Sequence, residues 1–401
     1  MTVKEELQKA GLPVLPPAVP EQVESQIIIE RLRALGYDFK LNSCADVIEV
    51  NGRPITDILQ AEIRMKLRDI GMAKKIAAAE DAYVAEAKMN SYHPVRDYLD
   101  KLEWDERDHI SELTALITSK DPPIVYSDGA AFPLHHVYIY RWLIGAVAKV
   151  YTGAQNAMLV FDGGQGIGKS TLAHWLCPLG EYFLEGPINV QDKDSDIRLI
   201  SQWIWEVSEL DATTRKADQS ALKSFITKEV VTVRKSYGRH DTKKTAMCSL
   251  IGTVNNTSGF LADESGSRRF MITKLERIDR AYQKLNLDQI WAQAKAMYFD
   301  GQPWQLRDEE AAAQAAMNEK YEVETVLEDW VRRYFVFDHA ADTEPLSMDE
   351  VIRAMDLDGY RLSGSERTQS MELSRVLIRL GARKEHTRTG NKWFGIYPKP
   401  K

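Results

Sequence analysis

The sequence predicts an α/β protein: a central core organised around a glycine-rich loop, a mainly helical N-terminal module before it and a C-terminal module of winged-helix type after it. Three observations carry that prediction. AMLVF, DGGQGIGKST and LAHWLC (157–177) read as an apolar strand, a glycine loop and a helix in immediate succession. Two more strand-like runs, WIWEVSELD (203–211) and AMCSLIGTV (246–254), follow in the same region. Near the end, two helical runs lead into an alternating segment around Gly390, the order of a winged helix.

At roughly 100–200 residues per domain, the 401 residues have room for two or three domains. Hydrophobic residues at 44% and charged residues at 28% match globular proteins, which excludes disorder or a fibrous repeat for the bulk of the chain. The net charge of −7 leaves any contact with nucleic acid to local basic patches. Cys44, Cys177 and Cys248 lie far apart with no CxxC pair, which argues against a disulfide framework or zinc knuckle and for a reducing, cytoplasmic setting. The opening residues lack the apolar run of a signal peptide, and no stretch approaches the ~20 apolar residues of a membrane span.

The four prolines within residues 1–20 predict an extended tail. From 21 to 120 the pattern is mainly helical. SQIIIERLRALGY has one apolar face, DVIEVNGRPIT alternates around the hairpin pair Asn51-Gly52, and helices are expected at 58–71 and 76–90. HPVRDYLDKLEWDERDHISELTALI gives two short helices parted near Trp104, and the module shows no catalytic constellation. The break Lys120-Asp121-Pro122-Pro123 opens the core at 121–305. VYIYRWLIGAVAKVY (137–151) is apolar nearly all round, as a helix buried between elements would be.

Gly163, Gly168, Lys169 and Ser170 satisfy G-x-x-x-x-G-K-[ST]. Glycines let backbone N–H groups converge on phosphate oxygens, and the helix N-terminus adds positive potential. The loop and its first helical turn, Gly163, Gly164, Gln165, Gly166, Ile167, Gly168, Lys169, Ser170 and Thr171, are therefore the expected nucleotide cradle. Lys169 would face the β- and γ-phosphates of ATP, and Ser170 would bind Mg²⁺. A chance glycine turn is the bland alternative, which the flanking strand and helix disfavour.

The loop alone does not choose among kinase, GTPase, transporter ATPase and helicase. An apolar strand ending in acids is where an ATPase holds Mg²⁺ and orients water; Glu209 is the first choice there, with Glu206 and Asp211 behind it. An ordinary strand with a solvated acidic end remains the alternative. The third strand runs into Asn255 and Asn256, where an amide can reach the γ-phosphate or the attacking water, or can simply make a turn. Arg268 and Arg269 precede another apolar strand, and strand alternation would send them to opposite faces, so that only one reaches a given phosphate.

Taken together, GGQGIGKST, WIWEVSELD, LKSFITKEVVTVRKSYGR, IGTVNN and GFLADESGSRRF resemble the virulence-associated E family. HPVRDYLDKLEWD before them and LDQIWAQAKAMYFDGQPWQL after them extend the likeness over about 90–306; Glu106 and His109 depart from the family pattern, touching only local packing. The resemblance implies a P-loop AAA+ core, superfamily 3 helicase-like. It gives Lys169 and Ser170 the phosphate and metal roles, Glu209 the Walker B role, Asn255 the sensor role, and Arg268 or Arg269 that of an arginine finger. It further implies a homo-hexameric ring on DNA, in the cytoplasm of a bacterial host, serving replication of a phage or phage-related island, with a primase or other replisome protein as a further partner.

KEVVTVRKSYGRHDTKKTA is a basic patch in an acidic protein. As a hairpin it would present Lys235, Tyr237, Arg239, His240, Lys243 and Lys244 to single-stranded DNA, cations for phosphates and a ring for stacking. A solvated surface hairpin is the alternative. Residues 306–340 read as a helical linker. At 341–401, Ser347 is an expected N-cap, Gly381 stops the second helix, and Arg383, Lys384, Arg388 and Lys392 outnumber Glu385, so the module would contact duplex DNA or dock a protein. Two functions stay open: an ATP-driven DNA helicase or translocase, and a nucleotide-dependent DNA-binding scaffold or initiation switch that does not unwind. A nucleotide kinase would leave the basic hairpin without a role.

Overall fold

The computed structural model describes residues 24–190, 192–208, 210, 219–234, 241–255, 261, 264–321, 326–338, 344–356, 365–388 and 390–399. The chain divides into two compact units, Met1–Asn256 with Gly266–Met317, and Thr257–Ser265 with Asn318–Lys401.

The first unit begins with α1 (Glu24–Ala34), β1 (Phe39–Asn42), β2 (Val47–Val50), β3 (Arg53–Pro54), α2 (Asp57–Asp69), α3 (Ile76–Met89) and β4 (Ser91–Tyr92). The expected hairpin is present: β2 pairs antiparallel with β3, and Asn51 and Gly52 take φ values of 52° and 75°, as the favoured two-residue hairpin turn requires. Beside its helices the module carries a four-stranded sheet of order β3-β2-β1-β4, of which the sequence anticipates only the hairpin. β1 and β4, of four and two residues, are too short to show alternation in sequence, and their pairing joins residues far apart in the chain. Phe39 stacks on Tyr83 at 4.9 Å, and Ile28, Leu32, Ile63 and Leu67 complete a core that belongs to this module.

Next come α4 (Pro94–Lys101), α5 (His109–Thr114), β5 (Ile117–Ser119), β6 (Ile124–Val125), β7 (Ala131–Phe132) and α6 (Leu134–Thr152). His93 and Asp108 cap α4 and α5 by accepting from Arg96 N and Ser111 N. α6 is buried on nearly all sides, as its composition predicts. Its Trp142 indole donates to Leu250 O at 3.1 Å, fixing the helix to the sheet.

The sheet comprises β8 (Met158–Asp162), β9 (Phe183–Glu185), β10 (Ile204–Val207), β13 (Ser249–Val254) and β14 (Phe270–Ile278) with β5 at its edge, in the order β5-β14-β8-β13-β10-β9. The five strands from β14 to β9 are parallel to one another, and β5 pairs antiparallel with β14. Such strands are covered on both faces and read as continuous apolar runs, which is why MLVFD and SLIGTV are buried at every position. Between these strands lie α7 (Lys169–Trp175), α8 (Lys193–Ser201), α9 (Gln219–Ile226) and the antiparallel hairpin of β11 (Val230–Arg234) with β12 (Asp241–Thr245); α10 (Leu287–Phe299) and α11 (Asp308–Glu319) follow β14.

The second unit contains α12 (Val326–Tyr334), β15 (Phe335–Phe337), β16 (Leu346–Ser347), α13 (Met348–Asp356), α14 (Glu366–Arg379), β17 (Arg383–Thr387), β18 (Gly390–Phe394) and β19 (Ile396–Pro398). β16, β18 and β17 form one antiparallel sheet, and β15 pairs with β19. Trp393, Leu377, Val331 and Val351 are in its core. Ser347 and Glu350 make the reciprocal cap of α13, Glu350 N donating to Ser347 Oγ at 3.3 Å and Ser347 N to Glu350 Oε2 at 2.6 Å. Gly381, at φ 99°, ends α14 where a side chain would be strained.

Candidate functional site

The glycine loop leaves β8, the strand between β14 and β13, and enters α7 at Lys169. Two features fix its path. Gly166 and Gly168 have φ values of 82° and 101°, and a Cβ on Gly163 would fall 2.6 Å from Leu275 O, so the strand and loop meet only without a side chain. Gly163 N also donates to Val254 O at 3.3 Å, holding the loop to the end of β13. Gln165, Gly166, Ser170 and Thr171 are exposed, whereas Gly164, Ile167 and Gly168 are half-buried.

Lys169 is buried, and its Nζ donates to Gly163 O at 2.7 Å, Gly164 O at 2.9 Å and Asn255 Oδ1 at 3.0 Å. Burial pushes its pKa down, while the negative charges of Asp162 and Glu206 oppose the shift. Asn255 follows the last residue of β13, so the amide expected to meet a phosphate lies beside the lysine expected to do the same.

Among the described residues, Glu206, one of the two second choices in the sequence, is an acid that the fold brings to this loop. It is fully buried on β10 and accepts from the Thr253 hydroxyl at 3.1 Å, while its Oε2 is buried without a hydrogen-bond partner. Burial raises its pKa; the Ser170 and Thr253 hydroxyls act in the other direction. That effect places the Ser170 hydroxyl close to the carboxyl, although Oε2 itself has no formed bond. A buried carboxylate with one oxygen lacking a partner, and the Ser170 hydroxyl acting on the same carboxyl, is a donor set that fits Mg²⁺. Thr253, which the sequence did not single out, fixes the carboxylate from the intervening strand. Glu209 and Asp211 lie outside the described residues.

Arg268 and Arg269 end a 3₁₀ segment, Glu264–Arg269, and do not lie on the strand. Alternation therefore does not apply, and both line one cavity of about 320 Å³ with Gln155, Trp304 and Gln314. Gln314 holds this backbone by donating to Arg268 O at 3.0 Å and Phe270 O at 2.9 Å. Arg268 is exposed, and Arg269 Nε is buried without a partner. Phe270 pairs with Met158 and Lys274 with Asp162, so the arginines enter the sheet four residues, ~13 Å, before the level of their own glycine loop.

The hairpin stem pairs Val230 with Thr245 through Arg234 with Asp241. Lys235, Tyr237, Arg239 and His240 lie outside the described residues. On β12, Lys243 is exposed. Its neighbour Lys244 is not available in the way the sequence suggests, because its Nζ pairs with Asp46 Oδ1 at 2.6 Å and donates to Ser43 O at 3.3 Å. At the foot of the stem Lys149, buried within the apolar α6, donates to Lys228 O at 3.2 Å, and burial brings its pKa down to about 8. In the second unit Arg383, Lys384 and Arg388 are exposed, while Lys392 approaches Glu350 at 3.4 Å. Cys44, Cys177 and Cys248 are buried free thiols, and among the described residues no helix is long and apolar enough to cross a membrane.

A family model described as the virulence-associated protein E-like domain matches residues 99–323, more than half of the chain. No curated protein matches. Among solved structures, the chain is similar to the apo structure of the NrS-1 C terminal region (305-718), with a TM-score of 0.51 and 14% identity, covering 94% of this chain and 100% of that one. A second apo structure of that region, its A form, gives a TM-score of 0.43 at 15% identity over 76% of each chain. The first likeness is one of fold.

Proposed function

Because this chain belongs to the virulence-associated protein E-like family, we propose that it is an ATPase that drives a DNA helicase or translocase, working as a homo-hexameric ring in the replication of a phage or related mobile element. One observation carries the reading. Lys169 and Ser170, Asn255, and Glu206, from three separate segments, converge at the carboxyl ends of parallel strands around a glycine loop shaped by positive φ. In open α/β sheets that edge is where nucleotides bind.

The strand order supports the AAA+ reading. The strand that feeds the loop lies between β14 and β13, and the acidic strand β10 lies one place beyond β13. The three-stranded sheet packed with α13 and α14 in the second unit supports a winged helix.

On this reading the backbone N–H groups of Gly164–Gly168 cradle the phosphates while that of Gly163 holds the loop to β13, and Lys169 turns from two loop carbonyls to phosphate oxygens. Ser170 and Glu206, with Glu209, would hold Mg²⁺, which supplies neutralisation of charge developing on the β- and γ-oxygens. Glu209 accepts a proton from the attacking water, and Asn255 orients that water or the γ-phosphate. Arg268 or Arg269 reaches the phosphates of a neighbouring subunit, because its own loop lies at the far end of the strand. Lys243, with the cations of the hairpin turn, contacts the DNA strand.

Electron microscopy of the full chain with a non-hydrolysable ATP analogue and single-stranded DNA tests the assembly. Closed six-membered rings are expected, and a persistent monomer would refute the ring.

A further inference from the structure

Just after the Asp121-Pro122-Pro123 break, β6 and β7 pair antiparallel as a small flap, Ile124 opposite Phe132. The flap leaves Phe132 44% exposed. Its ring stacks on His136 of α6 at 5.6 Å and 18°, and His136 stacks on Tyr140, one helical turn on, at 6.3 Å and 20°. This ladder walls a cavity of about 250 Å³. Burial alone does not account for it, since packing a flap onto a helix for hydrophobic gain would cover Phe132 rather than leave its ring open beside a void.

The floor of the cavity is an ion pair. Arg141 donates to Glu310 from Nε at 3.0 Å and Nη2 at 2.6 Å, and to Pro303 O from Nη1 at 2.5 Å. Glu310 also accepts from the Tyr126 hydroxyl at 2.7 Å and Arg307 N at 3.0 Å. With all three guanidinium nitrogens donating and both carboxylate oxygens accepting, the two charges on the floor are spent on each other and on the surrounding protein. Recognition is left to ring faces and to the remaining polar lining, the exposed Arg307 and Asp128 and the half-buried Gln302. Burial holds the His136 imidazole below its ordinary pKa, so at neutral pH the ladder is an uncharged stacking surface.

We propose that this cavity takes a nucleobase, its face against the Phe132–His136–Tyr140 ladder and its polar edge toward Gln302 and Arg307. A base combines the neutral planar face and the hydrogen-bonding edge that the lining asks for, and the volume, below that of drug-sized pockets, admits one ring system. The site is apart from the hairpin in sequence and in chemistry, reading a base where the hairpin would read phosphates.

The test uses the full chain without nucleotide and three probes: an oligothymidylate carrying one 2-aminopurine, an abasic oligomer of equal length, and 2-aminopurine riboside. Phe132→Ala, at an exposed position, should weaken binding and quenching of the base-bearing probe about tenfold, the loss of one stacked base. Phe132→Trp should restore it, and affinity for the abasic oligomer should not change. Quenching of the riboside equal to that of the oligomer would identify a free nucleoside as the source; a preference for the oligomer would identify a strand. Unchanged quenching in Phe132→Ala, or no quenching of either base-bearing probe, would overturn the proposal, including in favour of an aromatic peptide. Failure of the hairpin reading is seen separately, in the salt dependence of the abasic arm with Lys243→Ala.

Discussion

Lys169 Nζ donates to Asn255 Oδ1 at 3.0 Å, joining the first residue of α7 to the residue that follows β13. The two groups expected to meet the γ-phosphate are thus already neighbours, and ATP would replace the two bonds Lys169 makes to loop carbonyls. Lys169→Ala should abolish hydrolysis. Asn255→Ala should keep ATP binding while lowering kcat by about a hundredfold, the usual cost of losing one oriented donor at a charged transition state. Steady-state turnover together with nucleotide binding by calorimetry separates the two effects; equal turnover in Lys169→Ala would remove the loop from catalysis.

Glu206 yields a prediction with a sign in pH. Burial raises its folded pKa above the ordinary value of 4.5, so the stability it contributes is present below that value and is lost as pH rises through the folded pKa. Without divalent ions, Glu206→Gln should therefore melt higher than the parent at neutral pH, with the difference vanishing as pH falls below 4.5. The same variant should bind ATP and hydrolyse it poorly. Melting curves across pH check the first statement, and a parent more stable than the variant at pH 7 would contradict it.

The glycine loop and Asn255 were legible because each is a contiguous pattern at a strand end. The meeting of Ser170, Thr253 and Glu206 was not. It depends on β13 inserting between β8 and β10, although β13 comes after both in sequence, and sheet order has no local signature. The N-terminal sheet was missed for a similar reason, its strands being short and its β1–β4 pair long-range. The 3₁₀ turn at Arg268-Arg269 and the burial of Lys149 arise from tertiary packing, which overrides local propensity. By contrast, Asn51-Gly52, Ser347 and Gly381 were legible, since turn and cap chemistry acts over a few residues.

Alternation on β12 separates two lysines that the sequence treats alike. Lys243→Ala should weaken single-stranded DNA binding and reduce the salt slope by about one, as for one phosphate contact. Lys244→Ala should leave the slope unchanged and lower stability, because it breaks a half-buried pair with Asp46. A double-mutant cycle with Asp46→Asn should give a coupling of about 1–2 kcal/mol, between exposed and buried pairs. Filter binding over a salt series and denaturant melts read the two effects independently.

The arginines predict a shared active site. Arg268→Ala or Arg269→Ala should cut hydrolysis and spare ATP binding, and mixing such subunits with Lys169→Ala subunits should restore part of the turnover. Mixed rings that form without recovery would place the arginines in folding, consistent with the hold Gln314 has on their backbone.

Strand displacement on a forked duplex tests the central claim most directly. The full chain with ATP and Mg²⁺ should release the labelled strand, while Lys169→Ala, or the parent with a non-hydrolysable analogue, should bind the fork and release nothing. DNA-stimulated hydrolysis by the parent with no displacement from forks of either polarity would contradict the helicase and leave a nucleotide-dependent DNA-binding scaffold.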